Sequence, residues 1–450
     1  MESLLSRCEL WAKRLFPWSA RLTILLLPWQ TRWFQEGPTI ADLSWEQGRL
    51  SLYVSEVFML LTILLGLILW YGERKKTESL SFVPSKIWLT ILGSGLFLLS
   101  FLSTSSLRST TEWWLEVVLL IAFTATIFRR MSLRDFSFWF VLSLIPHALL
   151  GVFQTIDQHV IGTSVFGIAA QDPGTRGVAV IEVAGVRWLR AYGGFPHPNI
   201  FGGWLVLGIV TSYQALKQYV LTKKETLLYH TSFILFGVPL VLTYSRSAWL
   251  GLGLFICSSG LCLILSKTEP RKRRAGALLG LLALACILTA AVRPALLSVR
   301  AQAGTRLEQK SLSERKQGIE NGLRILRESP LLGSGLGANT LMLSKLDDAQ
   351  GLSSSFPITP HIVPLLMLAE LGILGSLLVL TILFLTSRTF IWEMVGSKRR
   401  WLSVLPHILA VLPIAFLDHY LWSYWSGKVL LVIFLFVILK FFKRDIVETA

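Results

Sequence analysis

Apolar segments of about 20 residues recur along the whole chain, and they restrict its fold more than any other feature. The hydrocarbon core of a bilayer is roughly 30 Å thick, so a spanning α-helix needs about 20 predominantly apolar residues. Charged residues make up only 16% of the sequence, too few for the surface of a soluble protein. The sequence predicts an all-α polytopic membrane protein, a single integral membrane domain over 1–450, with about 12 transmembrane helices. The predicted spans are 12–30, 52–71, 86–103, 113–128, 136–156, 198–216, 228–243, 248–266, 276–292, 361–386, 402–417 and 427–442.

Basic residues concentrate in alternate short loops between these spans. The positive-inside rule places such loops, and both termini with them, in the cytoplasm. We expect a multi-pass protein of the cytoplasmic (inner) membrane, with an uncleaved first span because no small-residue cleavage site follows it. The basic loops are 74–76, 129–134, 217–224, 267–274 and 388–400, and the tail adds 440–444.

The net charge of +16 would by itself suggest a nucleic-acid partner. Because many of the cations lie in loops assigned to the cytoplasm, the charge reflects membrane topology, and the lipid bilayer rather than nucleic acid is the expected partner. The four cysteines show neither disulfide nor metal-ligand spacing, and three of them lie inside apolar segments. No metal site and no cofactor is predicted.

Two predicted external loops are unusually long, 157–197 and the larger 293–360. Long loops inside a compact protein are uncommon unless they are functional or disordered. Long translocated loops also escape the positive-inside rule, so topology does not explain their cations. Anion binding and a merely solvated surface both remain open for these loops.

Arg246 lies in the short turn Thr243–Gly251 between two apolar segments. A charge near bilayer depth is costly, so it is retained where it reaches the interface or serves a function. One interpretation is an interfacial anchor. The other is an anion site, because Ser245 and Ser247 flank a guanidinium that can bind phosphate bidentately.

The first long loop ends in the sequence Arg-Trp-Leu-Arg-Ala-Tyr-Gly-Gly-Phe-Pro-His-Pro-Asn, residues 187–199. Pro198 fits the first turn of a helix, and the glycine pair permits a sharp bend before it. The segment is either a structural turn in which His197 caps the helix, or a site at which Arg190 meets a charged headgroup. The spacing alone does not decide between them.

The second long loop contains a helix signal over 311–328. Residues Ser311–Glu314 have the form of a capping box, and Ile319, Leu323 and Leu326 follow as an apolar stripe. Such a helix either lies on the membrane face or contributes Arg315 and Arg324 to a substrate site. We expect Glu320 to pair with Arg324.

His361 lies where the second long loop re-enters the membrane. Histidine is the usual proton carrier near neutral pH, although an isolated interfacial histidine is more often without such a role. The topology places Arg190, Arg246 and His361 at one external face. We therefore predict that the three side chains converge on one cavity.

Four short motifs, in order, resemble the O-antigen ligase and polymerase superfamily of bacterial envelopes. They are the Tyr-Ser-Arg-Ser turn at 244–247, the Arg-Ala-Tyr-Gly-Gly-Phe-Pro-His-Pro-Asn entry at 190–199, the Glu-Ser-Pro-Leu-Leu-Gly-Ser-Gly-Leu-Gly loop at 328–337, and His361 followed by Glu-Leu-Gly-Ile-Leu-Gly at 370–375. The resemblance covers mainly 185–385, and the hydropathy pattern agrees over the whole chain. One departure is that Ile362 stands where the family commonly has Asn after the histidine.

The resemblance implies a metal-independent glycosyltransferase, either an O-antigen ligase or a polysaccharide polymerase. It would transfer glycan from a polyprenyl diphosphate carrier to a hydroxyl of a glycan or lipid acceptor, outside the cytoplasmic membrane. It also implies that Arg190 and Arg246 bind the diphosphate and that His361 assists the acceptor hydroxyl. The further substrate contacts we predict are His197, Ser245, Ser247, Arg315 and Arg324.

A transporter or flippase of a lipid-linked or anionic solute is the rival function, since it also needs many spans and buried cations. Transporters commonly show internal repeats and broken midplane helices. The sequence shows no clear repeat between its halves, and the basic side chains outside the cytoplasmic loops gather at one face. Both observations favour an enzyme. The sequence leaves open whether it is a ligase, a polymerase or a protein oligosaccharyltransferase.

Overall fold

The computed structural model describes residues 2–74, 84–265, 269–301, 305–351, 356–395 and 398–449. These residues are mostly helical, as predicted, and a long helix occupies each of the predicted spans. The helices are α1 (Glu2–Leu26), α2 (Val54–Arg74), α3 (Pro84–Leu102), α4 (Leu107–Arg130), α5 (Leu133–Asp157), α6 (Pro198–Gln218), α7 (Lys223–Leu242), α8 (Arg246–Leu265), α9 (Glu269–Val292), α10 (Pro294–Ala301), α11 (Arg306–Glu328), α12 (Asn339–Ala349), α13 (Val363–Val395), α14 (Lys398–Leu417), α15 (Tyr420–Ser423) and α16 (Trp425–Thr449).

Seven of the described helices are long and apolar enough to cross a membrane: α2, α4, α5, α7, α8, α9 and α13. A polytopic α-helical membrane protein follows from them, since only helices and closed barrels satisfy the backbone within a bilayer. Some charged groups of the described helices form ion pairs, which lowers the cost of placing them in a membrane. Arg21 lies 3.2 Å from Asp135, and Lys428 forms an ion pair with Glu116.

Three short antiparallel hairpins accompany the helices, and the sequence did not predict them. They pair β1 (Arg32–Gln35) with β4 (Leu50–Tyr53), β2 (Thr39–Ile40) with β3 (Leu43–Ser44), and β5 (Val180–Val183) with β6 (Val186–Leu189). Ala184 and Gly185 join β5 to β6 with φ of 50° and 82°. Positive φ at both positions is what a two-residue hairpin turn of this hand requires.

Helix α6 lies at the centre of the bundle and is buried on almost every side, packing against α5, α7, α8, α14 and α16. Gly202 allows α8 to come close, because a Cβ there would lie 2.9 Å from the Cβ of Ala248. This approach brings the start of α8 beside the start of α6. The first turns of both helices thus lie next to each other.

The segments predicted to be external meet at one end of the bundle. The Thr31 hydroxyl donates to the Val165 carbonyl at 2.6 Å, and the Ser105 amide donates to the Ser334 carbonyl at 2.9 Å. The opposite end carries its own pairs, such as Arg130 with Glu73. The predicted external segments therefore contact one another, and their placement outside the membrane stays a prediction.

The loop 293–360 contains three helices, α10, α11 and α12, rather than the single one predicted. Residues 311–328 are helical, but the predicted capping box is wrong because α11 already begins at Arg306. Glu308, in its first turn, forms ion pairs with Arg300 and Arg246. A carboxylate near a helix N-terminus is favourable, and these pairs fix the earlier start.

The apolar stripe of α11 is not the side that packs against the protein, and its placement on a membrane face stays a prediction. Ile319 and Leu323 are 37% and 40% exposed, whereas Gly318, Gly322 and Ile325 are buried. The two glycines allow α11 to approach the chain at Thr359 and Pro360, where larger side chains would collide. The backbone approach, not the apolar stripe, therefore determines which side of α11 faces the protein.

The predicted pair of Glu320 with Arg324 does not form. Arg324 donates to Asp347 at 2.5 Å and to Gln350 at 2.9 Å, both at α12, while Glu320 lies 3.8 Å from Lys316. Arg324 therefore joins α11 to α12.

Candidate functional site

The turn between α7 and α8 places Arg246 at the first position of α8. Tyr244 has φ of 50°, and this left-handed residue reverses the chain in three residues. The Arg246 Nη1 atom lies 3.2 Å from Glu308 Oε2, and its Nη2 atom is buried with no hydrogen-bond partner among the described residues. Arg246 therefore keeps unused donor capacity in a protected position.

Arg190 is 5% exposed and is held by two other segments. Its Nε atom donates to the Thr243 carbonyl at 2.6 Å, and its Nη2 atom donates to Asn199 Oδ1 at 2.5 Å. The Ala191 amide donates to the Leu242 carbonyl at 3.0 Å and strengthens the same junction. These bonds tie the end of the first long loop to the turn that carries Arg246.

Asp418, between α14 and α15, completes a hydrogen-bonded chain across the helix starts. Asn199 Nδ2 donates to Asp418 Oδ1 at 2.9 Å, and Ser247 Oγ donates to Asp418 Oδ2 at 2.6 Å. The Ser245 and Ser247 hydroxyls lie 3.1 Å apart. Arg190 is thus linked through Asn199 and Asp418 to Ser247, the residue after Arg246.

Arg300, on α10, adds a third guanidinium. Its Nε atom donates to the Tyr244 carbonyl at 3.0 Å, and its Nη1 atom pairs with Glu308. Glu308 therefore bridges Arg246 and Arg300. Three guanidinium groups face two carboxylates, Glu308 and Asp418, and Arg315 acts electrostatically on Arg246 as a further cation.

This excess of positive charge affects the ionisation of Arg190. Burial first, and then the charge of Arg300, lower the pKa of Arg190 to about 9. Both effects oppose the charged form of the Arg190 guanidinium. An anion bound beside these groups would reverse the second effect, so the cluster is electrostatically suited to an anionic ligand.

Three histidines lie at the same end of the bundle. The rings of His361 and His419 meet edge to face, with centroids 5.1 Å apart, and His419 Nδ1 lies 3.0 Å from Ser423 Oγ. His197 caps α6 by accepting from the Asn199 amide at 3.1 Å, which is the structural role predicted as one alternative. His361 and His197 also interact electrostatically with the charged groups of the cluster.

Burial lowers the pKa of all three histidines. It lowers that of His361 from 6.5, lowers that of His419 to about 3 together with the effect of His361, and lowers that of His197 well below 6.5 together with the charge of Arg190. The imidazoles are therefore neutral at neutral pH, and a neutral imidazole can accept a proton.

The structure brings most of the predicted site residues together. Arg190, His197, Ser245, Ser247 and Arg246 share one network of contacts, and His361 and Arg315 act on it electrostatically. Arg324 is bound within the loop by Asp347 and Gln350, and its contact with a substrate stays a prediction.

Sequence reasoning missed five members of the cluster, namely Asn199, Arg300, Glu308, Asp418 and His419. Asp418 and His419 carried a usable signal, since they adjoin each other in a short turn between two apolar segments. A carboxylate in that turn is not a residue that a site for an anion leads one to expect. Glu308 and Arg300 carried no local signal, because their partners lie in other segments.

A third of the chain, within its second half, matches a known protein family. Residues 231–380 match the model of the O-antigen ligase family. This segment contains Arg246, Arg300, Glu308 and His361, whereas Arg190 and Asp418 lie outside it. No curated protein matches the chain.

The match over residues 231–380 confirms the resemblance seen in the motifs. An O-antigen ligase segment within a bundle of apolar helices indicates a glycan-transferring enzyme of polysaccharide assembly that works in a membrane.

Replacing Gly318 with alanine should lower turnover by about tenfold, because a small displacement of a reacting group is costly. A Cβ at Gly318 would lie 2.8 Å from the Thr359 carbonyl oxygen, so the segment that carries His361 must shift. The control is Gly253→Ala in α8, where a Cβ meets nothing within 4 Å. Steady-state kinetics and thermal unfolding of both variants check this. Wild-type turnover in Gly318→Ala would show that this contact does not position His361.

Proposed function

We propose that this protein transfers glycan from a polyprenyl diphosphate carrier to an acceptor hydroxyl, as an O-antigen ligase or a polysaccharide polymerase. The observation that carries the proposal is the cluster of Arg190, Arg246 and Arg300, in which three guanidinium groups face only two carboxylates. Neutral histidines lie beside this cluster at the same end of the bundle. A diphosphate is the leaving group that such a cluster can hold, since guanidinium binds phosphate oxygens bidentately. The O-antigen ligase segment supports the same chemistry.

In the proposed reaction the acceptor oxygen attacks the anomeric carbon of the donor sugar. The bond from that carbon to the diphosphate oxygen breaks, and its electron pair leaves with the polyprenyl diphosphate. Arg190 and Arg246 hold the diphosphate, and they stabilise the charge that grows on it in a site of low dielectric. His361 takes the proton of the acceptor hydroxyl as the new glycosidic bond forms. In this scheme the guanidinium groups, rather than a metal, offset the charge.

Fixed geometry supplies much of the rest of the rate enhancement. Arg190 is held by Thr243 and Asn199, and Asp418 holds Asn199 in turn. We assign Asp418 and Asn199 as positioning residues. Ile362 offers no polar side chain beside His361, so the neighbouring ring of His419 is the side chain that orients it.

The proposal places the cluster on the external face of the cytoplasmic membrane, in a bundle of twelve spans with both termini in the cytoplasm. The loops 157–197 and 293–360 then lie outside. The alternating basic loops support this orientation.

Labelling from outside intact cells should reach Thr175→Cys but not Val220→Cys. Thr175 is an exposed residue of the first long loop, and Val220 is 92% exposed at the opposite end of the bundle. Both variants are built without the native cysteines and treated with a membrane-impermeant maleimide. Val220→Cys should react only after the membrane is permeabilised. Labelling of Val220→Cys in intact cells would reverse the orientation.

The ratio kcat/KM should fall to half of its plateau value only below pH 6.5. His361 must be neutral to act as a base, and burial lowers its pKa from 6.5, so the neutral form persists as the pH falls past that value. Since kcat/KM reports the free enzyme, its acid limb should have a midpoint below 6.5. A pH profile of kcat/KM measures this midpoint. A midpoint at or above 6.5 would contradict the assignment of His361.

Deletion of the gene, followed by analysis of surface glycans, tests the proposed function in the cell. Loss of long polymer would identify a polymerase. Polymer that remains on the carrier but is absent from its final acceptor would identify a ligase. Unchanged surface glycans and unchanged carrier-linked glycans would contradict the proposal.

A further inference from the structure

A cavity of about 330 Å³ lies beside the histidines of the proposed active site, and the reaction described so far gives it no role. Gly194, Phe195 and Pro196 line it immediately before His197, and Tyr424 lines it with its ring centroid 5.9 Å from that of His419. Every lining residue lies outside the O-antigen ligase segment 231–380.

Two buried donors in the wall of this cavity lack hydrogen-bond partners. Trp425 and Ser426 are 3% and 1% exposed, and both line the cavity. Neither Trp425 Nε1 nor Ser426 Oγ has a hydrogen-bond partner among the described residues. A buried donor left unpaired opposes folding, so a ligand that accepts from both groups would remove a cost that the empty protein carries.

The charges in the cavity wall cancel. Among its lining residues only Arg32 and Glu46 carry charge, and Arg32 Nη1 lies 2.6 Å from Glu46 Oε1. The same Nη1 atom donates to the Tyr53 hydroxyl at 3.2 Å. A wall that is balanced in charge and rich in donors and acceptors favours a neutral, polar ligand over an anion.

The cavity also presents aromatic surface. Tyr53 stacks on Trp425, with ring centroids 5.4 Å apart and planes 22° apart, and Tyr192 and Tyr424 add further rings. A pyranose ring has apolar C–H faces and an edge of hydroxyl groups that both donate and accept. The rings of Tyr192 and Tyr424, beside fixed polar groups, match these two surfaces, and the volume lies within the range of small-ligand sites.

We propose that this cavity binds one neutral sugar ring of the glycan on which the enzyme acts. The inference rests on the proposed function, because it assigns the sugar to the enzyme's own glycan. Tyr424 and Pro196 border both the cavity and the histidine cluster, so the bound ring would extend from the reacting sugar. Trp425 Nε1 and Ser426 Oγ would donate to its oxygens.

The test measures saturation-transfer NMR from the purified full-length protein to neutral methyl glycosides of glucose, galactose, mannose and rhamnose. The protein is held in phospholipid nanodiscs, because sugar-based detergents would compete for the cavity. Trp425→Phe keeps the stacked ring and removes one donor, and Ser426→Ala removes the other. Neither change breaks a hydrogen bond of those atoms in the structure, so both variants should fold with an unchanged Tm.

We expect at least one neutral glycoside to give saturation transfer with the wild-type protein, and each variant to weaken its binding about threefold to tenfold. Trp392→Phe is the matched control, since Trp392 is 71% exposed and is absent from the wall. No signal from any neutral glycoside would overturn the proposal. So would unchanged binding in both variants, or stronger binding of methyl glucuronide than of the neutral glycosides.

A parallel measurement with Arg246→Ala separates this proposal from the proposed function. Sugar binding that survives in Arg246→Ala while transfer is lost supports both. Sugar binding that depends on Trp425 and Ser426 in a protein that shows no transfer supports the cavity and defeats the proposed function. If the protein is active, KM values of Trp425→Phe show which substrate supplies the bound sugar ring. A raised KM for the acceptor alone assigns the ring to the acceptor, and a raised KM for the donor alone assigns it to the donor.

Discussion

Replacing Arg246 with alanine should lower glycan transfer by about a hundredfold or more, the effect of removing one preorganised donor from a developing anion. Within the cluster, the Nη2 atom of Arg246 is buried and has no hydrogen-bond partner among the described residues. Arg246 can therefore donate to a diphosphate. Arg246→Lys keeps the charge but loses the planar fork, and it should retain more activity than Arg246→Ala yet less than the wild type. Initial rates at several donor concentrations measure both variants.

The control is Arg176→Ala, which removes an exposed arginine from the first long loop and should leave transfer unchanged. Thermal unfolding of each variant checks that lost transfer is not lost fold, because Glu308 keeps its pair with Arg300 when Arg246 is removed. Arg246→Ala that transfers glycan at the wild-type rate, with normal donor affinity, would exclude this residue from the diphosphate site.

Replacing His361 with alanine should lower turnover by about 10²–10⁴-fold, the usual contribution of a general base. The donor KM should change little, because the guanidinium groups rather than the histidine hold the diphosphate. Ile362→Asn should be tolerated or should raise turnover, since it restores the residue that the resemblance leads us to expect. Separate determinations of kcat and KM for the donor measure these effects.

His230→Ala is the matched control, since His230 is exposed near the opposite end of the bundle and should be dispensable. A rise in donor KM with unchanged kcat in His361→Ala would assign His361 to binding rather than to proton transfer. Wild-type kinetics in His361→Ala would remove it from the site.

The helices were predictable from the sequence because the bilayer leaves the backbone few alternatives. The position of Arg190 and Arg246 at the same end of the bundle was predictable for a related reason. Loops that alternate across a membrane return to the same face, so residues far apart in sequence had to lie at the same end. His361 was placed at that end by the same argument.

The partners of these residues were not predictable, because each comes from a distant segment. Glu308 joins Arg246 to Arg300, and Asp418 joins Asn199 to Ser247, over separations that leave no periodic signal. Carboxylates were also not sought at a site expected to bind an anion. Their presence is reasonable physically, since they offset part of the repulsion among the guanidinium groups in the empty site.

Local sequence patterns did not predict where α11 begins or which of its sides faces the protein, for a similar reason. Ser311–Glu314 has the spacing of a capping box, yet the helix continues through it to Arg306 because Glu308 is anchored by ion pairs from α10 and α8. The stripe of Ile319 and Leu323 looked like a packing face, whereas the close contacts of Gly318 and Gly322 decided the orientation. Tertiary contacts outweighed local pattern at both points.

The most direct test of the central claim is glycan transfer by the purified protein in proteoliposomes, with a polyprenyl diphosphate-linked glycan as donor and its acceptor supplied. The products measured are the new glycosidic linkage and the released polyprenyl diphosphate, beside an assay for movement of the donor across the bilayer. We expect both products to form in equal amounts, and neither to accumulate with Arg246→Ala. Movement of the lipid-linked glycan across the bilayer without any transfer would contradict the account and favour a flippase.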